Sequence, residues 1–157
     1  ATARGANFSA ADLSGAKAAG ANMVNGDFRD IKGAGVELRD SDLRRTNFRK
    51  ADLSNGNLSG AVFSGANLSE ADLSHADLSG ANLDGADLSG ANLEETNLLG
   101  ASLKGTNLTR TNFKRADLRE TDFTKADLSK VVFEDTLIEG MNTCGAKMPS
   151  GKVDVCK

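Results

Sequence analysis

At 157 residues the chain is sized for about one domain. With 39% hydrophobic residues, 26% charged residues and a mean hydropathy of -0.35, it contains no apolar run near the roughly 20 residues that a bilayer helix needs, so no membrane insertion is expected. Seventeen glycines, one proline, one histidine, no Trp or Tyr and a net charge of -3 leave few of the side chains that build active sites or stack on nucleic-acid bases.

Residues 1–5 read as a lead-in. The opening Ala1-Thr2-Ala3-Arg4 lacks the apolar core of a signal peptide, so an exported protein would appear here as its mature chain.

From residue 6 to residue 140 the chain repeats every five residues. Stepping by five from Phe8 to Ile138 gives 27 positions, of which 25 hold Phe, Leu, Met or Ile; Ala18 and Gly33 are the exceptions, and all seven Phe fall in this phase. Two residues earlier stands a small side chain, usually Ala or Thr, and between the two lies Asn or Asp in 20 of 27 units. A five-residue period matches neither a 3.6-residue helix nor a two-residue strand, so the chain must turn once per unit. Within a unit the small and large residues are two apart, which in extended backbone puts both inside and the Asn or Asp outside. The last two positions, commonly Ser-Gly as in Ser59-Gly60 and Ser79-Gly80, carry turn chemistry. One short side and one corner cannot satisfy its own backbone, which predicts an all-β stacked solenoid.

The tract from Ala66-Asn67-Leu68-Ser69-Glu70 to Ala91-Asn92-Leu93-Glu94-Glu95 resembles the A(D/N)LXX consensus of the pentapeptide-repeat family. That resemblance implies a right-handed quadrilateral β-helix with four repeats per coil. On this reading the chain makes about 6.75 coils and a rod on the order of 32 Å long, at roughly 4.8 Å per layer. Residues 20 apart would then stack, giving a column Phe8, Phe28, Phe48, Leu68, Leu88 at one end and Phe113 over Phe133 at the other, with Leu78 in the middle of the core. Ile31 and Val36 are expected to fill the volume that Gly33 leaves empty.

Residues 141–157 read as an irregular C-terminal cap over Val131, Val132, Leu137 and Ile138. Cys144 and Cys156, separated by 11 residues, are expected to form a disulfide, which would favour an oxidising compartment; the alternative is two separate thiols in a reducing one. The resemblance makes a thylakoid lumen of a cyanobacterium or chloroplast, or a periplasm, the expected compartment, with a cytoplasmic location as the alternative. The N-terminal coil has no candidate cap, so Phe8 and Leu13 would lie nearly open, ready to stack end to end on another molecule or simply to fray.

Charge is segmented along the chain. Residues 51–103 contain no Lys or Arg and eight acids, whereas the flanking segments are net positive. Asp52, Glu70, Asp72, Asp77, Asp87, Glu94 and Glu95 form a candidate acidic interaction surface for an unidentified protein partner. The resemblance also offers a second reading, a DNA mimic that binds a type II topoisomerase such as DNA gyrase. DNA carries one charge per roughly 1.7 Å of axis, however, and a short rod with basic ends falls far below that. Direct nucleic-acid binding is not expected, because every Phe is in the core phase. The combination of Ser74, His75 and Asp77 sits on a convex turn without a pocket, so no catalytic residue, metal ligand or cofactor is assigned. The sequence thus points to a non-catalytic structural or protein-interaction module.

Overall fold

The structure is a computed structural model that describes residues 1–131 and 133–151. It is all-β among these residues, with no helix and one parallel bridge per five-residue unit. Every bridge joins residues 20 apart, from Thr2 with Asn22 to Asp127 with Lys147. Four units therefore make one coil, and each unit stacks on its counterpart one coil away.

The unit Ala66–Glu70 shows how the backbone is satisfied. The Asn67 amide donates to the Thr46 carbonyl of the preceding coil (2.9 Å), and the Leu68 and Glu70 amides donate to Asp87 and Ser89 of the following coil (2.7 and 2.9 Å). The Ala66 amide closes the corner onto the Phe63 carbonyl (2.8 Å). The fifth amide, on Ser69, lies at the corner and donates to the Asn67 side-chain Oδ1 at 3.0 Å. All five donors are thus engaged, as the burial of backbone demands. The last of these bonds is general. Each Asn or Asp between a small and a large residue accepts from the amide two residues on, at 2.9–3.4 Å. This is the Asx turn, a role beyond that of an outward polar column.

The fifth residue of the unit takes a positive φ whether or not it is glycine: Gly60 is at 65°, Glu70 at 59° and His75 at 58°. A corner bond from residue i to i+3 with positive φ at i+2 is the geometry of a type II turn. Glycine is favoured at this position because an L side chain here costs about 1–2 kcal/mol.

The small and large residues face inward together. Every large-site residue from Leu43 through Leu128 is 0% exposed, Leu68, Leu78 and Leu88 among them. Where Thr replaces Ala, its buried hydroxyl donates to a corner carbonyl, as Thr96 does to Leu73 (2.8 Å) and Thr111 to Leu88 (2.9 Å); Thr136, whose hydroxyl is buried without a partner among the described residues, is the exception. Phe8, Phe28 and Phe48 stack with ring centroids 5.1 and 4.7 Å apart and planes within 15° and 10°. At the other end Phe113 meets Phe123 edge-on at 6.1 Å and 84° instead of stacking on Phe133, which is only half-buried.

The ends differ from the sequence-based expectation. Residues 1–5, read as a lead-in, form a unit of their own: the Ala3 amide bonds the Asn22 carbonyl (2.7 Å) and the Gly5 amide bonds Val24 (2.9 Å). Residues 141–150, read as the start of an irregular cap, form two more. Asn142 and Lys147 pair with Asp122 and Asp127, Ala146 is fully buried, and Met141 and Met148 pack against the core. The period had been hidden by Met141 at a small site and Thr143 at a large one. Leu137 and Ile138, expected under the cap, are 52% and 48% exposed. Val132, Val153, Val155 and Cys156 lie outside the described residues.

The space that Gly33 leaves is taken by Ile31, whose Cδ1 lies 3.2 Å from where a Gly33 Cβ would stand, and by Leu53 at 3.5 Å; Val36 is not among these nearest neighbours and lines a separate pocket of about 170 Å³ with Phe8, Leu13 and Leu38.

Two stability outcomes follow from this interior. Leu78→Ala should lower unfolding free energy by about 2–5 kcal/mol in urea denaturation, the range for large-to-small core changes. Asn67→Ala, which orphans the Ser69 amide and hydroxyl, should cost about 1–2 kcal/mol, while Asn67→Asp, which keeps the acceptor, should stay within about 0.5 kcal/mol. Equal losses in the two Asn67 variants would remove the side-chain acceptor as the cause.

Candidate functional site

The register gathers most of the acidic residues around one side of the rod. Asp52 bridges to Asp72, and Asp72 to Asn92, so these three form one vertical column. The corner before that column carries Glu70 and the corner after it carries Glu94 and Glu95. Asp77 and Asp87 stand on the two adjacent sides, in columns with Asn57 and Asn97, and with Asn67 and Asn107.

The seven acids divide into two kinds. Asp52, Asp72, Asp77 and Asp87 are half-buried, and each accepts a backbone hydrogen bond from Ser54, Ser74, Ser79 or Ser89 at 2.9–3.0 Å. Three of them also accept from the side-chain amide of the Asn one coil away: Asn92 to Asp72 (3.2 Å), Asn97 to Asp77 (3.2 Å) and Asn107 to Asp87 (3.1 Å). Their Oδ1 atoms hold the corners. None of the four appears in a salt bridge among the described residues, so their charge is left to solvent or to a partner.

The glutamates are engaged with cations at the two edges of the acidic zone. Glu70 reaches the Arg49 guanidinium (2.8 Å) and Lys50 Nζ (3.7 Å) of the preceding coil, and the hydrogen bond from Arg49 holds its carboxyl below the usual range. Glu95 takes hydrogen bonds from Arg115 (2.7–2.8 Å) and lies 3.1 Å from His75 Nδ1. The Arg115 bond likewise lowers the Glu95 pKa, and Arg115 also pairs with Glu94. The basic flanks are therefore tied to the acidic middle by their own ion pairs. Such exposed pairs contribute little each, but they neutralise the glutamates.

The residues that suggested catalysis have separate partners. The Ser74 amide bonds Asp72, His75 is exposed beside Glu95, and Asp77 holds the Ser79 amide. Among the described residues no group of three or more His, Cys, Asp or Glu is placed to hold a metal ion, and no helix is long and apolar enough to cross a membrane. Cys144 is half-buried in the coil made by residues 141–145, where its amide donates to Asn142 Oδ1 (3.1 Å).

The family model described as pentapeptide repeats matches residues 1–30, 34–65, 61–98 and 96–135, in eight copies. Among solved structures, the pentapeptide repeat protein Rfr23 from the cyanobacterium Cyanothece is 31% identical, over 82% of this chain and 91% of that one, with a TM-score of 0.50. HetL, a pentapeptide repeat protein involved in heterocyst differentiation regulation from the cyanobacterium Nostoc, is 27% identical over 98% of this chain and 87% of that one, at a TM-score of 0.49. QnrB1, a plasmid-mediated fluoroquinolone resistance protein, is 21% identical over 88% of this chain and 81% of that one, at 0.61. Among curated proteins none is a significant sequence match.

Proposed function

Because the chain belongs to the pentapeptide-repeat family, we propose that it serves as a non-catalytic interaction module, a right-handed four-sided rod of about seven coils that presents the acidic zone around its middle, on three of its four sides, to a basic protein surface. The observation that carries this reading is the charge of Asp52, Asp72, Asp77 and Asp87. These four aspartates are fixed at the corners by backbone hydrogen bonds and face no lysine or arginine of their own segment, since residues 51–103 contain none. A rigid array of carboxylates outside any ion pair favours and orients a cationic partner at little entropic cost, even with Lys32 stacked one coil from Asp52. The packed interior supports the same reading, because it leaves the recognition surface on the outside of the rod.

The DNA-mimic alternative has less support. It calls for negative charge along the whole rod, whereas Glu70 and Glu95 are already paired with Arg49 and Arg115, and both flanks of the acidic zone are net basic.

The test uses amides in place of carboxylates. Asp52→Asn, Asp72→Asn, Asp77→Asn and Asp87→Asn together keep the Asx acceptor and remove the charge. Affinity capture from native extract should recover a partner with the wild-type chain at low ionic strength and lose it with the fourfold variant or at about 0.5 M salt. Equal recovery by the variant would move recognition away from this side.

We further propose a Cys144–Cys156 disulfide and with it an oxidising compartment, lumen or periplasm. Two cysteines in one short terminal stretch support this reading. Intact-mass analysis after alkylation of natively purified protein should show labelling of both cysteines only after reduction; labelling of both beforehand would overturn the bridge and the compartment with it.

A further inference from the structure

We propose that a second copy of this chain docks flat against one side of the rod, antiparallel and about a two-fold axis, so that acids of each copy meet cations of the other. This rests on the acidic zone being a recognition surface, and it names the basic surface that the zone meets.

The side in question is the one whose outward column runs Asn67, Asp87, Asn107 and Asp127. Its two halves differ in sign. In the coils of residues 61–100, Asp87 stands in the middle of the side, Glu70 on the corner that follows it and Asp84 on the corner that precedes it. In the coils of residues 101–140, Arg110 and Lys130 stand on the following corner and Lys125 on the preceding one. Asp127, in this second half, is taken up by Lys147 at 3.7 Å.

Both signs are left over on this side. Arg110, Lys125 and Lys130 are exposed, and none of them enters a salt bridge among the described residues. Asp84 and Asp87 enter none either. Their partners within the chain are neutral donors: the Ser102 hydroxyl (2.6 Å) and the Lys104 amide (3.0 Å) for Asp84, the Ser89 amide (2.9 Å) and the Asn107 side-chain amide (3.1 Å) for Asp87. The stacking holds these acids and cations in separate coils of one face.

Register then specifies how two such faces fit. Bridged residues are 20 apart, so residue number measures height along the rod at roughly 4.8 Å per 20 residues. A two-fold axis lying in the contact plane, across the rods at the level of residue 100, sets them head to tail and places each corner against the same corner of the other copy. Residue 130 is then level with residue 70, and residue 110 with residue 90. Lys130 thus meets Glu70, Arg110 comes within about 1 Å of the level of Asp87, and Lys125 within about 2 Å of that of Asp84. Every pair occurs twice, because the contact is isologous. Parallel rods in register would instead set acid on acid and cation on cation.

The surface near the axis admits the approach. Gly85, Gly90 and Gly105 occupy corners there, and nothing lies within 4 Å of where a Cβ on Gly85 or Gly105 would stand. Arg110 of one copy is accordingly set against the side-chain-free corner of Gly90 in the other. One side over four coils is small beside the roughly 1,200–2,000 Å² of a standard interface, and exposed ion pairs are individually weak. The dimer is therefore weak, held by charge and dissolved by salt.

Sedimentation of the full chain is the test. At low ionic strength and up to about 1 mM protein, the wild type should show reversible dimerisation that is lost at about 0.5 M salt. Amide resonances of Gly90, Asn107 and Thr109 should shift with protein concentration. Lys130→Glu should weaken the dimer about tenfold or more, and Glu70→Lys added to the same chain should restore it by exchanging the signs of the pair. Arg39→Glu, on a different corner, should leave it unchanged. A wild type that stays monomeric would overturn the inference, as would a dimer indifferent to salt or to Lys130→Glu, or one whose shifts map to the ends of the rod. Loss of dimerisation would not touch the reading of the acidic zone, which the capture experiment with the fourfold Asn variant decides on its own.

Discussion

The hydrogen bond from a corner amide to the Asn or Asp two residues before it is the interaction on which the rest of this architecture depends. Extended backbone in a stacked coil gives four of five amides to carbonyl partners, three between coils and one across the corner. The remaining amide sits at the corner itself, where no carbonyl of a neighbouring coil takes it; at Ser102, which has no such acceptor, the Lys104 amide instead donates to the Asp84 side chain one coil away (3.0 Å). A short side chain with an sp² oxygen two bonds beyond its Cβ folds back over that distance well, and Asn and Asp are the residues that have one. Because the bond is local, each unit brings its own solution, and the coil can be repeated without any long-range accounting.

This requirement explains why an acidic surface and a structural motif coincide. Asp and Asn serve the corner equally well, so the choice between them is free of the fold and sets the charge of each side. In the middle of the rod the choice falls on Asp at 52, 72, 77 and 87, and the Asn residues stacked on three of them donate back to their carboxylates. The glutamates behave differently because they occupy corner positions, where side chains are long and exposed. Glu70 and Glu95 reach the arginines of adjacent coils, and the zone of uncompensated charge therefore ends where the sequence becomes basic.

Much of this was legible in the sequence because five-residue spacing leaves one folding solution. The inward pair, the outward Asn or Asp, the 20-residue stacking and the Phe8–Phe28–Phe48 column all follow from periodicity joined to the family resemblance. The signal for the Asx turn was present as well, in the fixed offset between Asn or Asp and the turn amide, but alternation alone reads such a residue as merely exposed. The positive φ of Glu70, His75 and Lys50 was hidden because composition points to glycine for that role, whereas the bonds between coils impose it on whatever residue is there. The last two units were missed for a different reason. Met141 and Thr143 break the volume rule, yet the ladder needs only backbone, and Asn142 still supplies the side-chain acceptor to Cys144. Which acids remain free of cations was not legible, since pairing across coils depends on side-chain reach at 20 or 21 residues' separation.

The large-site exceptions, Ala18 and Gly33, fall together in the first two coils, whereas the units without Asn or Asp are spread over Lys17, Lys32, Glu37, Val62, Ser102, Val132 and Leu137. Lys17, Lys32 and Glu37 replace the corner acceptor in the same coils where Ala18 and Gly33 leave the core short, and a 3.6 Å pair between the exposed Lys17 and Glu37 takes the place of an Asn ladder there. Such a pair is worth little against a satisfied backbone amide. The inner rule is therefore relaxed at the N-terminal end, whereas the outer rule is relaxed at intervals along the whole repeat. A fold under selection for stability alone has no reason to concentrate its departures, because Ala18 could be Leu at no cost to the backbone. Departures from local consistency tend to mark functional sites. At Gly33 the departure is matched from within, because the Ile31 Cδ1 stands 3.2 Å from where a Gly33 Cβ would be.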